Sequence, residues 1–291
     1  MGRKDIEEKM FEDYNDVFAD IVNVLLFGGK QVIRPSELEN SKDKSRFKTA
    51  EGKTAEQERD VSKWWRRSKI RLALFGLENQ TKSDPRMCLR LIGYDGAVYR
   101  SEYEDKTVYP VITLVLYLDH ERHWNGPKTL LESLDVPDEL IPYVNDYRMN
   151  LFEIAWLTEE QVGLFKSDFK IVADYFVQLR KTKDYIPNPK TIKHVDAVLK
   201  LMAALTGDAR FEDAIKDIPA RERRHVTMCK VLDDAEKRGE KRARFQLITN
   251  LVGTYILKNK LTQKAACEEL SIDYKEYQAA KRYMKRLELQ G

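Results

Sequence analysis

Eleven residues, Ile70 to Gln80, constrain the chain most. They read Ile-Arg-Leu-Ala-Leu-Phe-Gly-Leu, nearly continuous in apolar side chains, and then turn abruptly polar at Glu78-Asn79-Gln80. A short apolar run bounded by polar residues predicts a strand buried on both faces, and such a strand needs a covering layer on each side. The covering segments are legible. Tyr14, Phe18, Ile21, Val22, Leu25 and Leu26 recur at spacings of three and four, predicting an amphipathic helix over Glu12 to Phe27 that Gly28-Gly29 stops. Ser83-Asp84-Pro85 is a good helix start, with proline suited to the first helical position, and opens a helix to about Tyr103. A second buried-type strand follows from Tyr109 to Leu118. The expected fold class is α/β, a mixed sheet flanked by helices.

The strand before Ile70 gives the chemistry a register. Arg59 to Trp65 is followed by the polar patch Arg66-Arg67-Ser68-Lys69, a natural place for the chain to turn. A hairpin centred near Lys69 pairs residues whose numbers sum to 138, which sets Asp60 opposite Glu78. Directly opposed side chains have Cβ atoms about 4.5–5.5 Å apart, where two like charges are destabilising. Carboxylates so placed at the end of a buried strand call for something positive between them, and a hard divalent cation such as Mg²⁺ suits. Period two puts Gln80 on the face of Glu78. Its amide can position a water or a phosphate oxygen but cannot act as a base. The spacing alone also fits a surface Asp60 and a solvated strand end.

At these residues the sequence resembles a known family. Arg59-Asp60, Phe75-Gly76-Leu77-Glu78-Asn79-Gln80-Thr81, Tyr94-Asp95 and Tyr109 to Tyr117 are similar to the recombination-promoting nuclease, or YhgA-like transposase, group of the PD-(D/E)XK nuclease superfamily. The likeness spans roughly residues 11–244 and is strongest between Asp60 and Leu130. It implies a restriction-endonuclease-like fold and Mg²⁺-dependent hydrolysis of DNA phosphodiester bonds, linked to recombination or transposition. It further implies that Asp60 and Glu78 are the metal-binding acids and that Gln80 takes the place of the superfamily lysine. An acid on the first helix, by position Asp20, would complete the site. Glutamine lacks the positive charge of lysine, which is the sequence's main departure. A non-catalytic DNA-binding accessory protein and an RNA-acting nuclease are the alternatives on the same fold.

The remainder reads as helix from about Thr158: Thr158–Lys181, Pro189–Thr206, Arg210–Lys216, Ala220–Asn259 and Thr262–Leu289. With 291 residues, the expected organisation is an α/β core over 1–147, a helical extension over 148–245 and a basic helical tail over 246–291. Residues 221–291 hold 17 Lys and Arg against 10 Asp and Glu, while the remaining 220 hold 34 against 38. A basic tail on a mildly acidic body fits a polyanion partner, here DNA, or else a solvated helical face. Leu261 to Tyr283 has the pattern of a helix-turn-helix, although no glycine marks the turn and a packing hairpin fits as well. His120 and His123 stand three apart, but no second ligand pair supports a zinc site.

Several classes are excluded by what the chain lacks. The longest apolar run, Val111 to Leu118, is far short of the ~18 residues that cross a bilayer. Cys88, Cys229 and Cys267 are isolated, so neither a disulfide framework nor a cysteine doublet for metal is expected. A cytoplasmic protein without a membrane partner is the reading, and a homodimer is an assembly it allows while the sequence leaves the oligomeric state open.

Overall fold

The computed structural model describes residues 2–41, 45–48, 54–57, 60–68, 70–187, 189–219, 223 and 226–288, and the chain divides into two compact units, Met1–Thr227 and Met228–Gly291. In the first unit the helices α1 (Arg3–Glu12) and α2 (Asn15–Phe27) precede the strands β1 (Leu38–Asn40), β2 (Ser45–Lys48), β3 (Thr54–Gln57), β4 (Val61–Arg67) and β5 (Ile70–Gln80). Then come α3 (Met87–Ser101), β6 (Val111–Tyr117), β7 (Asn150–Glu153) and the helices α4 (Glu159–Leu164), α5 (Phe169–Thr182), α6 (Val195–Thr206) and α7 (Ala209–Asp217). Strands β2 and β3 pair apart, and the main sheet has the order β1-β4-β5-β6-β7. Neighbours are antiparallel at β1–β4 and β4–β5 and parallel at β5–β6 and β6–β7. The parallel step from β5 to β6 uses α3 as its crossover helix, as parallel pairs require. This is the expected α/β fold, a mixed sheet flanked by helices.

The hairpin register is the one the numbering predicts. Val61 pairs with Leu77, and the sum of 138 holds through Trp65 and Ala73. Between Trp65 and Arg66 the ladder shifts, so that Arg66 meets Arg71. A bulge of this kind adds local twist and lets the strands reach a tight turn. Ser68 in that turn has φ 50°, the left-handed conformation that few residues adopt. Glu58, Arg59 and the turn centre Lys69 lie outside the described residues.

Strand β5 is buried from Ala73 to Glu78. One layer of the core comes from α2, whose Phe18, Ile21 and Val22 are fully buried. On α3, Met87, Cys88 and Leu91 pack with Val115, Tyr117 and Trp124. Asp95, a motif residue, is buried and structural: it accepts a hydrogen bond from Thr113 Oγ1 at 3.2 Å and another from the Tyr147 hydroxyl, tying α3 to β6 and to the segment before β7.

Three expectations need correction. The α/β unit does not end at Tyr147, because Asn150–Glu153 joins the sheet beside β6 and the helices through α7 belong to the same unit. The helix expected over Glu12 to Phe27 is preceded by a separate one, with the break at Asp13 and Tyr14. Lys63 explains the break's position: it is fully buried, and its ammonium donates to the Asp13 carboxylate and the Asp13 carbonyl, each at 2.8 Å, and to Asn40. Finally, the helix expected over Thr158–Lys181 is two helices. Thr158 caps α4 by accepting from the Gln161 N–H, and the chain is extended at Phe165 before α5 begins.

The second unit contains α8 (Met228–Asn259), α9 (Gln263–Glu269) and α10 (Tyr274–Glu288). Ile248, Val252, Ala266, Cys267, Tyr277 and Ala280 form its core. Helix α8 begins at Met228 rather than Ala220, and residues 220–222, 224 and 225 lie outside the described residues. Among the described residues no helix is long and apolar enough to cross a membrane.

Candidate active site

Beyond the last hairpin pair, Val61 with Leu77, Asp60 enters the end of the sheet. Its Oδ2 accepts the backbone N–H of Asn79 at 2.8 Å, and Lys9 of α1 lies 3.2 Å from Oδ1. Glu78, one residue earlier on β5, is only 2% exposed. Its Oε1 is paired with Arg90 of α3, a residue that also reaches Asp84 at 3.2 Å and the Tyr94 hydroxyl at 3.4 Å. Glu78 Oε2 is buried with no hydrogen-bond partner among the described residues. Unsatisfied buried carboxylate oxygens are costly, so this atom marks a place where a cation or donor would be stabilising.

Helix α1 brings more acid to the same place. Glu8 and Glu12, four residues apart, share a helical face, and both are buried. Glu12 Oε2 accepts from the Asn79 side chain at 2.8 Å, while Glu8 has Lys4 at 3.6 Å. Burial, and then the negative charge of Asp60, push the Glu78 carboxyl up to about 8 against the opposing pull of Arg90 and Lys9. Burial raises Glu8 to about 7 and holds Glu12 well above the usual carboxylate range despite its bond from Asn79. At all three carboxyls burial is the main cause, because it disfavours the charged form, and neighbouring acids add to it.

The resulting cleft has a volume of about 510 Å³ and is lined by Asp5, Glu8, Asp60, Glu78, Gln80 and Arg90, among others. It opens at the carboxyl end of β5, the end at which open α/β sheets place their ligand sites. Gln80, paired in register with Tyr117 of β6, is in the cleft with Asp60 and Glu78. Asp20 is not. Its Oδ2 accepts the backbone N–H groups of Lys166 and Ser167 at 2.8 and 2.6 Å, and it lines a separate cavity of about 310 Å³ with Asp16, Asp168 and Lys190. The acids that the first helical region offers the cleft lining are Asp5 and Glu8, with Glu12 joined to it through the Asn79 side chain. Sequence reasoning missed them because α1 is too polar to show an apolar stripe; the spacing of Asp5, Glu8 and Glu12 on one face was the available signal.

The histidines have other partners. His123 stacks on Trp156 with ring centroids 3.4 Å apart and contacts Glu153 at 3.1 Å. His194 stacks on Tyr14 and contacts Asp16 at 2.9 Å, and His225 lies outside the described residues. Among the described residues no group of three or more His, Cys, Asp or Glu side chains is arranged to hold a metal ion.

Residues 73–205 match the family described as "Putative transposase, YhgA-like". The match to the YhgA-like family begins within β5 and ends in α6, so it includes Glu78, Gln80 and Arg90 and leaves out Asp60 and α1. The mixed sheet is compatible with the PD-(D/E)XK superfamily. Comparison with curated proteins and with solved structures gave no match.

Proposed function

We propose that this chain is a Mg²⁺-dependent nuclease that hydrolyses DNA phosphodiester bonds in the Asp60–Glu78 cleft. The observation that carries the reading is the unpartnered, buried Oε2 of Glu78 beside Asp60 at the end of the hairpin. The donors fit the group. Asp60, Glu78 Oε2, and the Asn79 Oδ1, which is likewise buried without a partner, are all hard oxygen atoms. Mg²⁺ is held through one or two carboxylates, with waters and substrate phosphate completing its octahedron, so no dedicated cage of three acids is needed. Asp60 and Glu78 would hold the ion, which when bound supplies Lewis-acid activation of water and neutralises charge on the phosphate.

The rest belongs to the chain's own side chains. Arg90, half in the cleft and already paired with Glu78, presents a guanidinium suited to a phosphate oxygen. Gln80 orients a water through its amide. Glu12 fixes the Asn79 side chain, and the backbone N–H of that residue holds Asp60 in place. The family match to transposases supports a DNA substrate.

The test is nicking of supercoiled plasmid by the full chain in Mg²⁺ and in EDTA, with RNA as a competing substrate. Cleavage that EDTA abolishes and excess RNA does not suppress is expected. Absence of nicking in both Mg²⁺ and Mn²⁺, or a preference for RNA, would overturn the reading.

A further inference from the structure

The second unit carries a feature that the cleft does not explain. Helix α9 is short, seven residues, and is capped by Thr262, which accepts the Ala265 N–H. The chain then turns through Leu270 to Asp273, with Ser271 in the left-handed conformation at φ 55°. Asp273 starts α10 sharply by accepting the backbone N–H of Lys275 at 2.6 Å and that of Glu276. The two helices meet α8 through Ala266 and Ala280, both fully buried, and residues that small allow close approach. Helix, tight turn and longer second helix on a third supporting helix is the arrangement of a helix-turn-helix module. Ser271 supplies the positive φ for which a glycine was missing from the sequence.

The outward face of α10 is basic. At 100° per residue, Lys275, Arg282 and Arg286 fall within about 40° of one another, with Gln278 and Lys285 beside them. Tyr277 and Ala280 are buried on the opposite side. Lys275, Arg282, Lys285 and Arg286 are exposed, and none is paired with an acid among the described residues. Glu276 of α10 is directed away from this stripe, to Arg244 of α8 at 2.6 Å. From Lys275 to Arg286 the stripe is ~16 Å long, and the major groove of duplex DNA is ~12 Å wide and admits one α-helix.

We infer that α10 is a duplex-DNA recognition helix, entering the major groove with Lys275 toward base edges and Arg282, Lys285 and Arg286 on phosphates. The N-terminal turns of such a helix face the bases, and lysine at such a position offers donors to guanine, while the Gln278 amide donates to Gln263 Oε1 at 3.1 Å and to the Tyr274 hydroxyl at 2.9 Å. The three cations further along lie where the groove rises to the backbone. Exposed Lys264 on α9 reaches the phosphates of the adjoining strand.

The inference is independent of cleavage, so its test is made in EDTA. Binding of the full chain to a fluorescent 30-base-pair duplex is followed by anisotropy over a salt series. The variant Arg282→Gln/Lys285→Gln/Arg286→Gln should bind about tenfold or more weakly, and its log K against log salt slope should fall by about 2.7, or 0.9 for each lost phosphate contact. The control variant Lys237→Gln/Lys258→Gln/Lys260→Gln removes the same charge from α8 and the turn that follows it and should change the slope by less than about 1. All substituted side chains are exposed, and unchanged far-ultraviolet circular dichroism verifies the fold. An unchanged slope in the α10 variant, an equal loss in the control variant, or tighter binding to single strands or to duplex RNA would each overturn the assignment.

Discussion

Glu78→Gln tests the electrostatics of the cleft without any assumption about catalysis. In the folded chain the Glu78 carboxyl titrates near 8, against 4.5 for an unperturbed glutamate. Between these values the folded state binds more protons than the unfolded one, so stability is lost as pH rises through that window. At 1.36 kcal/mol per unit, the shift sets a ceiling of about 5 kcal/mol at pH above 8. The charges of Asp60, Arg90 and Lys9 act on Glu78 in opposing directions, and roughly 2 kcal/mol is the magnitude to expect from Glu78 itself. Glutamine keeps the volume and removes the charge, and Arg90 retains Asp84 and Tyr94. Thermal melts in EDTA should therefore coincide for wild type and variant at pH 5. At pH 8 the variant should melt about 4–8 °C higher, at 2–4 °C per kcal/mol for a unit of this size. Saturating Mg²⁺ should stabilise the wild type at pH 8 and leave the variant unmoved. A difference in melting temperature that does not depend on pH, or a variant less stable at pH 8 than at pH 5 relative to wild type, would refute the reasoning.

Three further outcomes are expected. Gln80→Lys should alter the cleavage rate by about tenfold or more in either direction, upward if an ammonium at this position stabilises phosphate and downward if the amide is needed for a water; equal rates for Gln80→Lys, Gln80→Ala and wild type would put Gln80 outside the chemistry. Asp20→Ala should destabilise the chain by about 1–3 kcal/mol, because the N–H groups of Lys166 and Ser167 lose their acceptor, while the Mg²⁺ concentration for half-maximal cleavage stays the same; a rise in that concentration would return Asp20 to the metal site. Lys63→Met should cost about 1–3 kcal/mol in urea unfolding, since the Asp13 and Asn40 acceptors lose their donor, and it should reduce cleavage through a displaced α1; full activity with reduced stability would separate the α1 elbow from the site.

The legible parts of this chain are those in which a local pattern and a tertiary requirement coincide. The β5 run could only be a buried strand, and with the polar Arg66–Lys69 patch it set the register that brings Asp60 to Glu78. The bulge at Trp65 left that register intact because it lies on the turn side of the pairs that matter. Strand β7 was illegible: four residues, Asn-Leu-Phe-Glu, carry no alternation long enough to read, and they become a strand only because β6 offers a parallel edge. Helix α1 was illegible for a different reason. Its buried face contains Glu8 and Glu12, which a hydrophobic pattern assigns to solvent, and it is held in place by Lys63, fifty residues away from its partner Asp13. Asp20 was misplaced through that omission, since the first helix visible in the sequence is the second in the fold. Sites built from buried charge conflict with apolar patterning, and functional positions are where such conflicts concentrate.

The account rests most heavily on two carboxylates acting at one cation, and single-turnover plasmid cleavage by the wild type and Asp60→Asn, at equal protein and saturating Mg²⁺, tests it most directly. Asparagine conserves the volume of Asp60 and removes one anionic ligand. The account predicts EDTA-sensitive cleavage by the wild type and a rate at least about 10²-fold lower in the variant, with its fold and its EDTA-measured DNA affinity unchanged. Cleavage by folded Asp60→Asn at the wild-type rate would contradict it.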